Sequence, residues 1–122
     1  MTTPLPATPE EFFAGHDDGL AVYRAVAGAV EGLGAHDVKV SRSQISFRHR
    51  RSFAFVWRPA QYVRSSVPAV LSIALRRELD SDRFAEVVHP SPRVWMHHLE
   101  VQDPAEVDAE VEAWLEEAYA TI

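Results

Sequence analysis

Residues 38–58 read VKVSRSQISFRHRRSFAFVWR. Apolar and polar side chains alternate along most of this stretch, and a period of two is typical of β-strands. The basic run at 49–51 interrupts the alternation and predicts the turn of a β-hairpin. Further along the chain, residues 70–75 (VLSIAL) and 94–101 (VWMHHLEV) show the strand signature again. The sequence therefore predicts about five strands.

Helix signals flank these strands. Residues 8–11 (TPEE) combine a capping threonine, a proline suited to the first helical position and two acids near the positive end of the helix dipole. Apolar residues at helical spacing over 17–34 predict a long amphipathic helix. We expect a short helix over 81–88, and residues 103–106 (DPAE) predict the start of the final helix.

Together these elements predict an α+β fold, with a single mainly antiparallel sheet packed on one face by N- and C-terminal helices. Residues 1–7 are expected to be a flexible N-terminal segment, and residues 8–122 to form one domain. The heavier strand side chains are predicted to face the helices: Val38, Val40, Ile45, Phe47, Phe53, Phe55, Trp57, Leu71, Ile73, Leu75, Leu99 and Val101. The opposite face is predicted to carry small, hydroxyl and basic groups: Lys39, Ser41, Ser43, Gln44, Ser46, Arg48, Ala54, Val56, Arg58, Val70, Ser72 and Ala74.

Four segments resemble the bacterial family known as domain of unknown function 5655. They are FAFVWRP (53–59), VLSIAL (70–75), FAEVVHPSPRVWMHHLEV (84–101) and DPAEVDAEVEAWLEEAYA (103–120). The likeness covers roughly residues 12–120 and is one of strand pattern and spacing. It implies no established catalytic residues. The label of predicted transport protein, attached to some relatives, fits poorly with a chain that has no membrane-spanning pattern.

Composition limits the class of protein. A chain of 122 residues with 47% hydrophobic and 25% charged residues is typical of one globular domain. The absence of cysteine excludes disulfides, thiol nucleophiles and thiolate metal sites. No run of about 18 apolar residues and no signal-peptide pattern occurs, so we expect no membrane segment and a cytoplasmic location.

Charge is segregated along the chain. Residues 38–77 hold nine of the twelve bases and no acid, whereas residues 100–122 hold eight acids and no base. Arginine suits bidentate contact with phosphate, so the basic strands are a candidate anion-binding surface. Its candidate ligand-binding residues are Lys39, Arg42, Arg48, Arg50, Arg51, Arg58 and His98. Alternatively, the basic strands pair with the acidic final helix of the same chain or of a neighbour. The net charge of −6 argues against generic DNA binding.

The histidines do not predict a metal site. His97 and His98 point to opposite faces of one strand, and no HxxxH or HxH pair places two imidazoles together. We expect His97 to lie in the core, and His98 and His89 to reach a surface pocket. No nucleophile elbow, phosphate loop or dinucleotide motif occurs, so we assign no catalytic residue, no metal and no cofactor.

The favoured hypothesis is a non-catalytic interaction or self-association module. It acts through the open sheet face, or through basic strands that meet the acidic helix, and a homodimer is the candidate partner. The alternative is an anionic ligand on the basic strands, either a phosphate-rich small molecule or single-stranded nucleic acid. An enzyme requires a pocket that joins His89 or His98 to these strands.

Overall fold

Six strands form one sheet in the computed structural model of the protein, which describes residues 4–122. The strand order is β1-β2-β3-β4-β6-β5, and all neighbouring strands run antiparallel. The strands are β1 (Asp37–Val40), β2 (Ile45–Arg48), β3 (Ser52–Trp57), β4 (Ala69–Leu75), β5 (Glu86–Ser91) and β6 (Val94–Val101). This confirms the predicted α+β fold with one antiparallel sheet, and adds one strand to the expected five.

Helices cover one face of this sheet. They are α1 (Pro9–Phe12), α2 (Asp17–Glu31) and α3 (Ala109–Thr121), and short 3₁₀ turns occupy Pro59–Gln61 and Pro104–Glu106. The buried stripes of α2 and α3 join the inner side chains of the strands in a single core. We call the other side of the sheet, turned away from the helices, the open face. No helix within residues 4–122 is long and apolar enough to cross a membrane.

The N-terminal cap of α1 forms as the sequence predicts. The backbone N–H of Glu11 donates to Thr8 Oγ1 at 3.1 Å, and Pro9 takes the first position of α1. Of the N-terminal segment expected over 1–7, residues 1–3 lie outside the described part of the chain. Residues 4–7 adopt neither helix nor strand.

The prediction of a short helix over 81–88 is wrong. Residues 81–85 form turns, and β5 begins at Glu86 and pairs with β6. The backbone N–H of Ala85 donates to the carbonyl of His98 at 2.9 Å, which starts this pairing. The unpaired edge of β6 and the β-branched Val87 and Val88 favour a strand over the helical spacing of the segment.

The final helix begins later than its first start signal predicts. Asp103 does form a capping box with Glu106, but the turn that follows is a 3₁₀ turn. At its end, Val107 leaves the helical region with φ −79° and ψ 75°. A second cap, Asp108, accepts from the backbone N–H of Val111 at 3.1 Å and starts α3.

A β-bulge in β3 decides which side chains reach the open face. Phe47 of β2 pairs with Ala54, but the next residue, Arg48, pairs with Ser52. Phe53 is therefore an extra residue, and such a residue shifts the alternation of faces by one position. Phe53 and Ala54 are consecutive and both fully buried, as expected on the two sides of this shift.

The bulge overturns part of the predicted face assignment. Phe55 and Trp57, predicted to face the helices, lie on the open face, because their partners in β4 lie there. Conversely, Ala54 and Val56 were predicted to face outward but pair with core residues and are fully buried. Two large aromatic side chains thus stand where the sequence pattern predicts small ones.

Candidate functional site

Strand register places one row of side chains straight across the open face. Reading from β1 to β5, the paired positions are Lys39, Ser46, Phe55, Ser72, His98 and Glu86. Directly paired residues of antiparallel strands lie on the same face, so the row is continuous. It begins with a base, passes an aromatic centre and ends with an acid.

The centre of the open face forms a groove of about 880 Å³. Its walls are mainly apolar and include Phe55, Trp57, Tyr62, Val63, Val70 and Met96. Six polar side chains also line it: Ser43, Gln44, Ser72, His98, Glu86 and Glu100. We call this feature the open-face groove. A neighbouring polar depression of about 610 Å³ is lined by side chains of β1, β2 and β3.

The segment between β3 and β4 forms one wall of the groove. Pro59 is buried and starts the 3₁₀ turn that carries the chain to Tyr62. Gln61 Nε2 donates to the carbonyl of Arg42 at 3.1 Å, which ties the segment to the turn between β1 and β2. The ring of Tyr62 meets that of Trp57 at an angle of 61°, with centroids 6.1 Å apart.

A directed chain of hydrogen bonds forms the floor of the groove. Trp57 Nε1 donates to Ser72 Oγ at 2.8 Å, and Ser72 Oγ lies 2.6 Å from His98 Nδ1. An indole N–H can only donate, so Ser72 Oγ is its acceptor. Among the described residues, His98 Nδ1 is the other polar atom within hydrogen-bond distance of Ser72 Oγ, so we assign the hydroxyl proton to that bond. His98 Nδ1 is then an acceptor, and the imidazole proton lies on Nε2. This nitrogen is 4.0 Å from Glu86 Oε1.

The environment of His98 favours a neutral ring. Burial lowers the pKa of His98, the Glu86 carboxylate opposes this shift, and the neighbouring His97 adds to it. Protonating Nδ1 would also turn the acceptor of the Ser72 hydroxyl into a donor. Burial therefore favours the neutral form of His98, and the assigned Ser72 hydrogen bond is consistent with that form.

Lowering the pH from about 7 to about 5 is expected to reduce the free energy of unfolding. Burial lowers the pKa of both His97 and His98 in the folded protein, whereas unfolded histidine titrates near 6.5. Below that value the unfolded chain binds protons that the folded protein lacks, so stability is complete above it and is lost as the pH falls. Asp108 and Glu117 also have lowered pKa values, but these carboxyl groups ordinarily titrate near 3.8 and 4.5, so their effect on stability falls mainly below this pH range. Urea denaturation at several pH values in this range measures the slope of the free energy of unfolding against pH.

His98→Asn removes the contribution of His98 to this pH dependence. The hydrogen bond from Ser72 can be kept, because asparagine Oδ1 can still accept it. This variant is expected to have a shallower slope between pH 7 and pH 5 than the wild type. His89→Asn is the matched control, since it removes an exposed histidine from the adjacent strand and leaves the Ser72 hydrogen bond in place. An unchanged slope in His98→Asn would contradict the neutral state assigned to His98.

A family model described as Domain of unknown function (DUF5655) matches residues 10–122. The chain belongs to the DUF5655 family. No curated protein and no solved structure matches it. The match covers both helices that frame the sheet and every strand that lines the open-face groove, so the groove lies entirely within the DUF5655 domain.

The basic residues predicted to bind an anion are dispersed over this DUF5655 domain. Lys39 and Arg48 share the polar depression, where Asp37 accompanies them. Arg42 is exposed in the turn between β1 and β2, and Arg51 is exposed in the turn between β2 and β3. Of these four bases, two line one depression and the other two do not.

The remaining predicted bases make contacts within the domain. Arg50 Nη2 donates to the carbonyl of Ala120 at 2.9 Å, at the C-terminal end of α3. Arg58 is half-buried, with Nη2 3.5 Å from His16 Nδ1. The hairpin turn at 49–51 packs against α3, because the ring of His49 stacks on Tyr119 with centroids 4.1 Å apart.

Two further bases of residues 38–77 contact the C-terminal half of the final helix of the DUF5655 domain. Arg77 makes a bidentate pair with Glu117, at 2.9 and 3.0 Å. Arg76 Nε donates to the carbonyl of Thr121 at 2.7 Å. Cations at the C-terminal end of a helix satisfy free carbonyls and oppose the negative end of its dipole. Part of the basic block thus pairs with the acidic helix of the same chain, which was the alternative to an anion site.

Arg83 contacts the start of α3. Arg83 Nη1 lies 3.0 Å from Asp108 Oδ1 and 2.9 Å from Glu110 Oε1, and Arg83 Nη2 donates to the carbonyl of Glu106. Its guanidinium also lies over the ring of Trp114, 5.6 Å from the centroid. These contacts explain the position of Arg83, which does not line the groove.

His97 lies in the core, as predicted. It is fully buried, and Nε2 accepts from the backbone N–H of Leu79 at 3.0 Å, so Nδ1 carries the proton and donates to Ile73 O at 3.2 Å. His89 stacks on Trp95, with centroids 4.0 Å apart, and is not among the residues that line the groove. Across residues 4–122, no three histidine or carboxylate side chains are placed to hold a metal ion together.

Sequence reasoning found His98 and missed its partners. Ser72 is the one polar residue in the strand AVLSIAL, and a lone hydroxyl in a buried run signals a specific hydrogen bond. Trp57 was assigned to the other face because the bulge cannot be seen in the sequence. Glu86 was assigned to a helix and lies instead on the edge strand beside His98.

Proposed function

We propose that the domain is a non-catalytic binding module, in a cytoplasmic protein, and that its binding surface is the open-face groove. One observation carries the proposal. A concave apolar site of about 880 Å³ holds a small number of oriented polar groups at its floor. Sites for small molecules are typically concave and mostly apolar, with volumes of about 300–1,000 Å³ and few polar groups.

The wall of the groove supports the same proposal. Tyr62 and Val63 are 60% and 63% exposed although both side chains are large and apolar. They stand beside Trp57 and Phe55, so the exposed apolar surface is grouped rather than scattered. Grouped apolar surface with a polar border is typical of a site that contacts another molecule.

Self-association is a second candidate, favoured by the charge distribution across the open face. Lys39 and Arg48 lie toward the β1 edge, whereas Glu86 and Glu100 lie toward the β5 edge. Two open faces related by a twofold axis parallel to the strands would bring opposite charges together, as an isologous interface requires. An anionic ligand has narrower support, because only Lys39 and Arg48 of the predicted bases share a concave surface.

The neutral aromatic molecule 3-methylindole is expected to bind in the groove. Titration of ¹⁵N-labelled protein should shift the indole N–H resonance of Trp57 and the backbone amides of residues 70–72 and 96–100. Tyr62→Ala should weaken binding about fivefold, because an aromatic contact contributes about 1 kcal/mol. Val38→Ala, at an exposed position of β1 outside the groove, is the control and should bind as the wild type does.

The same samples separate binding from self-association. Light scattering at low and high salt should give the mass of a monomer throughout the titration if the groove is free for a small molecule. A dimer whose dissociation accompanies the resonance shifts would favour self-association through the open face. Shifts spread over α2 and α3, with none in the groove, would contradict the proposal.

A further inference from the structure

The polar groups of the open-face groove are acidic on one side. Glu86 is the cross-strand partner of His98, and Glu100 follows two residues later on the same face of β6. Two residues along a strand span about 7 Å, so the two carboxylates flank the imidazole. Within residues 4–122, neither carboxylate makes a salt bridge with a lysine or arginine, and no lysine or arginine lines the groove.

On the basis of the proposed function, we infer that the groove binds a small organic cation, an aromatic amine with a protonated amino group. The aromatic body would pack on Phe55, Trp57 and Met96, and the ammonium would lie between Glu86 and Glu100. An ammonium group donates three hydrogen bonds and accepts none, which matches two carboxylates. The indole and phenol rings of Trp57 and Tyr62 add attraction for a cation near their faces.

The neutral form of His98 supports the inference that the groove binds a cation. Because burial lowers the pKa of His98 and its Nδ1 is the assigned acceptor of the Ser72 hydroxyl, the ring is neutral at pH 7 and brings no positive charge that would oppose a cation or attract an anion. Its Nε2–H points to the side of Glu86 and offers the groove one neutral donor. The net charge of the whole chain, −6, acts in the same direction over longer distances.

Three indoles that differ in charge test the inference: tryptamine, 3-methylindole and indole-3-propionate. At about 10 mM salt, where the Debye length is about 30 Å, surface charges act with little screening. Tryptamine is expected to bind about tenfold more tightly than indole-3-propionate, with 3-methylindole between them. The Trp57 indole N–H and the Glu100 amide report binding in a ¹⁵N titration.

Two double substitutions test whether Glu86 and Glu100 cause the preference for tryptamine over indole-3-propionate. Glu86→Gln with Glu100→Gln should bring the affinities for tryptamine and indole-3-propionate to within about twofold of each other. Glu112→Gln with Glu116→Gln removes the same net charge from exposed positions of α3 on the other side of the sheet, and should retain the tenfold preference.

The outcomes separate this inference from the proposed function. Equal affinities for all three indoles, or tightest binding of indole-3-propionate, would overturn the cation preference and leave the binding groove in place. The absence of groove shifts with all three probes at about 1 mM would overturn both. Loss of the preference in the α3 control pair would assign it to net charge and overturn the role of Glu86 and Glu100.

Discussion

Phe53→Ala is expected to lower the free energy of unfolding by about 3–5 kcal/mol. The Phe53 side chain is fully buried at the bulge of β3, and its ring is perpendicular to that of Tyr119, with centroids 5.5 Å apart. Truncation removes this apolar area from the core and leaves a cavity between the sheet and α3. Because small domains are stable by about 5–15 kcal/mol, a large part of the total would be lost. Urea denaturation followed by circular dichroism measures it.

Phe55→Ala is the matched control for the bulge. A regular strand would place positions 53 and 55 on the same face, and the two truncations would then cost similar amounts. In the structure Phe55 is half-buried on the open face, so its loss is expected to cost about 1 kcal/mol. Equal losses for the two variants would contradict the bulge and the composition of the groove that depends on it.

Ser72→Ala is expected to lower the free energy of unfolding by about 2–3 kcal/mol, although only one oxygen atom is removed. The hydroxyl is almost completely buried and joins Trp57 Nε1 to His98 Nδ1. Alanine leaves that donor and that acceptor without a partner, and each unsatisfied group in a buried site costs about 1–3 kcal/mol. Chemical denaturation gives the loss, and the indole N–H resonance of Trp57 reports the broken bond.

Ser46→Ala and a double-mutant cycle complete this test. Ser46 lies in the same row of the open face, is half-buried, and its hydroxyl makes no hydrogen bond to the described residues, so its replacement should change stability by less than about 0.5 kcal/mol. The cycle combines Ser72→Ala with Trp57→Phe, and non-additivity of about 1 kcal/mol is expected for groups in direct contact. Additive losses would show that the two side chains are not coupled.

The elements that the sequence predicts correctly are those with local signals. The amphipathic pattern and acidic first turn of α2, the capped start of α1 and the alternation of β2, β4 and β6 each depend on neighbours within a few residues. The segment 81–88 fails because its local spacing competes with pairing to the edge of β6, a contact that exists only after the sheet has formed. Local preference is a weak signal where tertiary pairing is available.

The site was harder to predict because its contacts are distant in sequence. Ser72 and His98 are 26 positions apart and meet only through the register of β4 and β6. Arg50 lies exposed in the basic turn as predicted, but no local pattern indicates that its partner is a carbonyl 70 positions away. A one-residue bulge also reverses the faces of Phe55 and Trp57, and no period-two pattern can show it.

The strand order also determines when the groove can form during folding. Strands β1 to β4 form a meander of local hairpins, and β5 and β6 form another hairpin. Each of these two units can therefore form with a small entropic cost of loop closure. The Trp57 side of the groove belongs to the first unit and the His98 side to the second. They meet only when β4 pairs with β6, so neither hairpin unit contains the groove by itself. Its assembly requires the pairing of β4 with β6. Trp57 Nε1 bonds to Ser72 within the first unit, whereas the hydrogen bond between Ser72 Oγ and His98 Nδ1 joins the two units and reports that step.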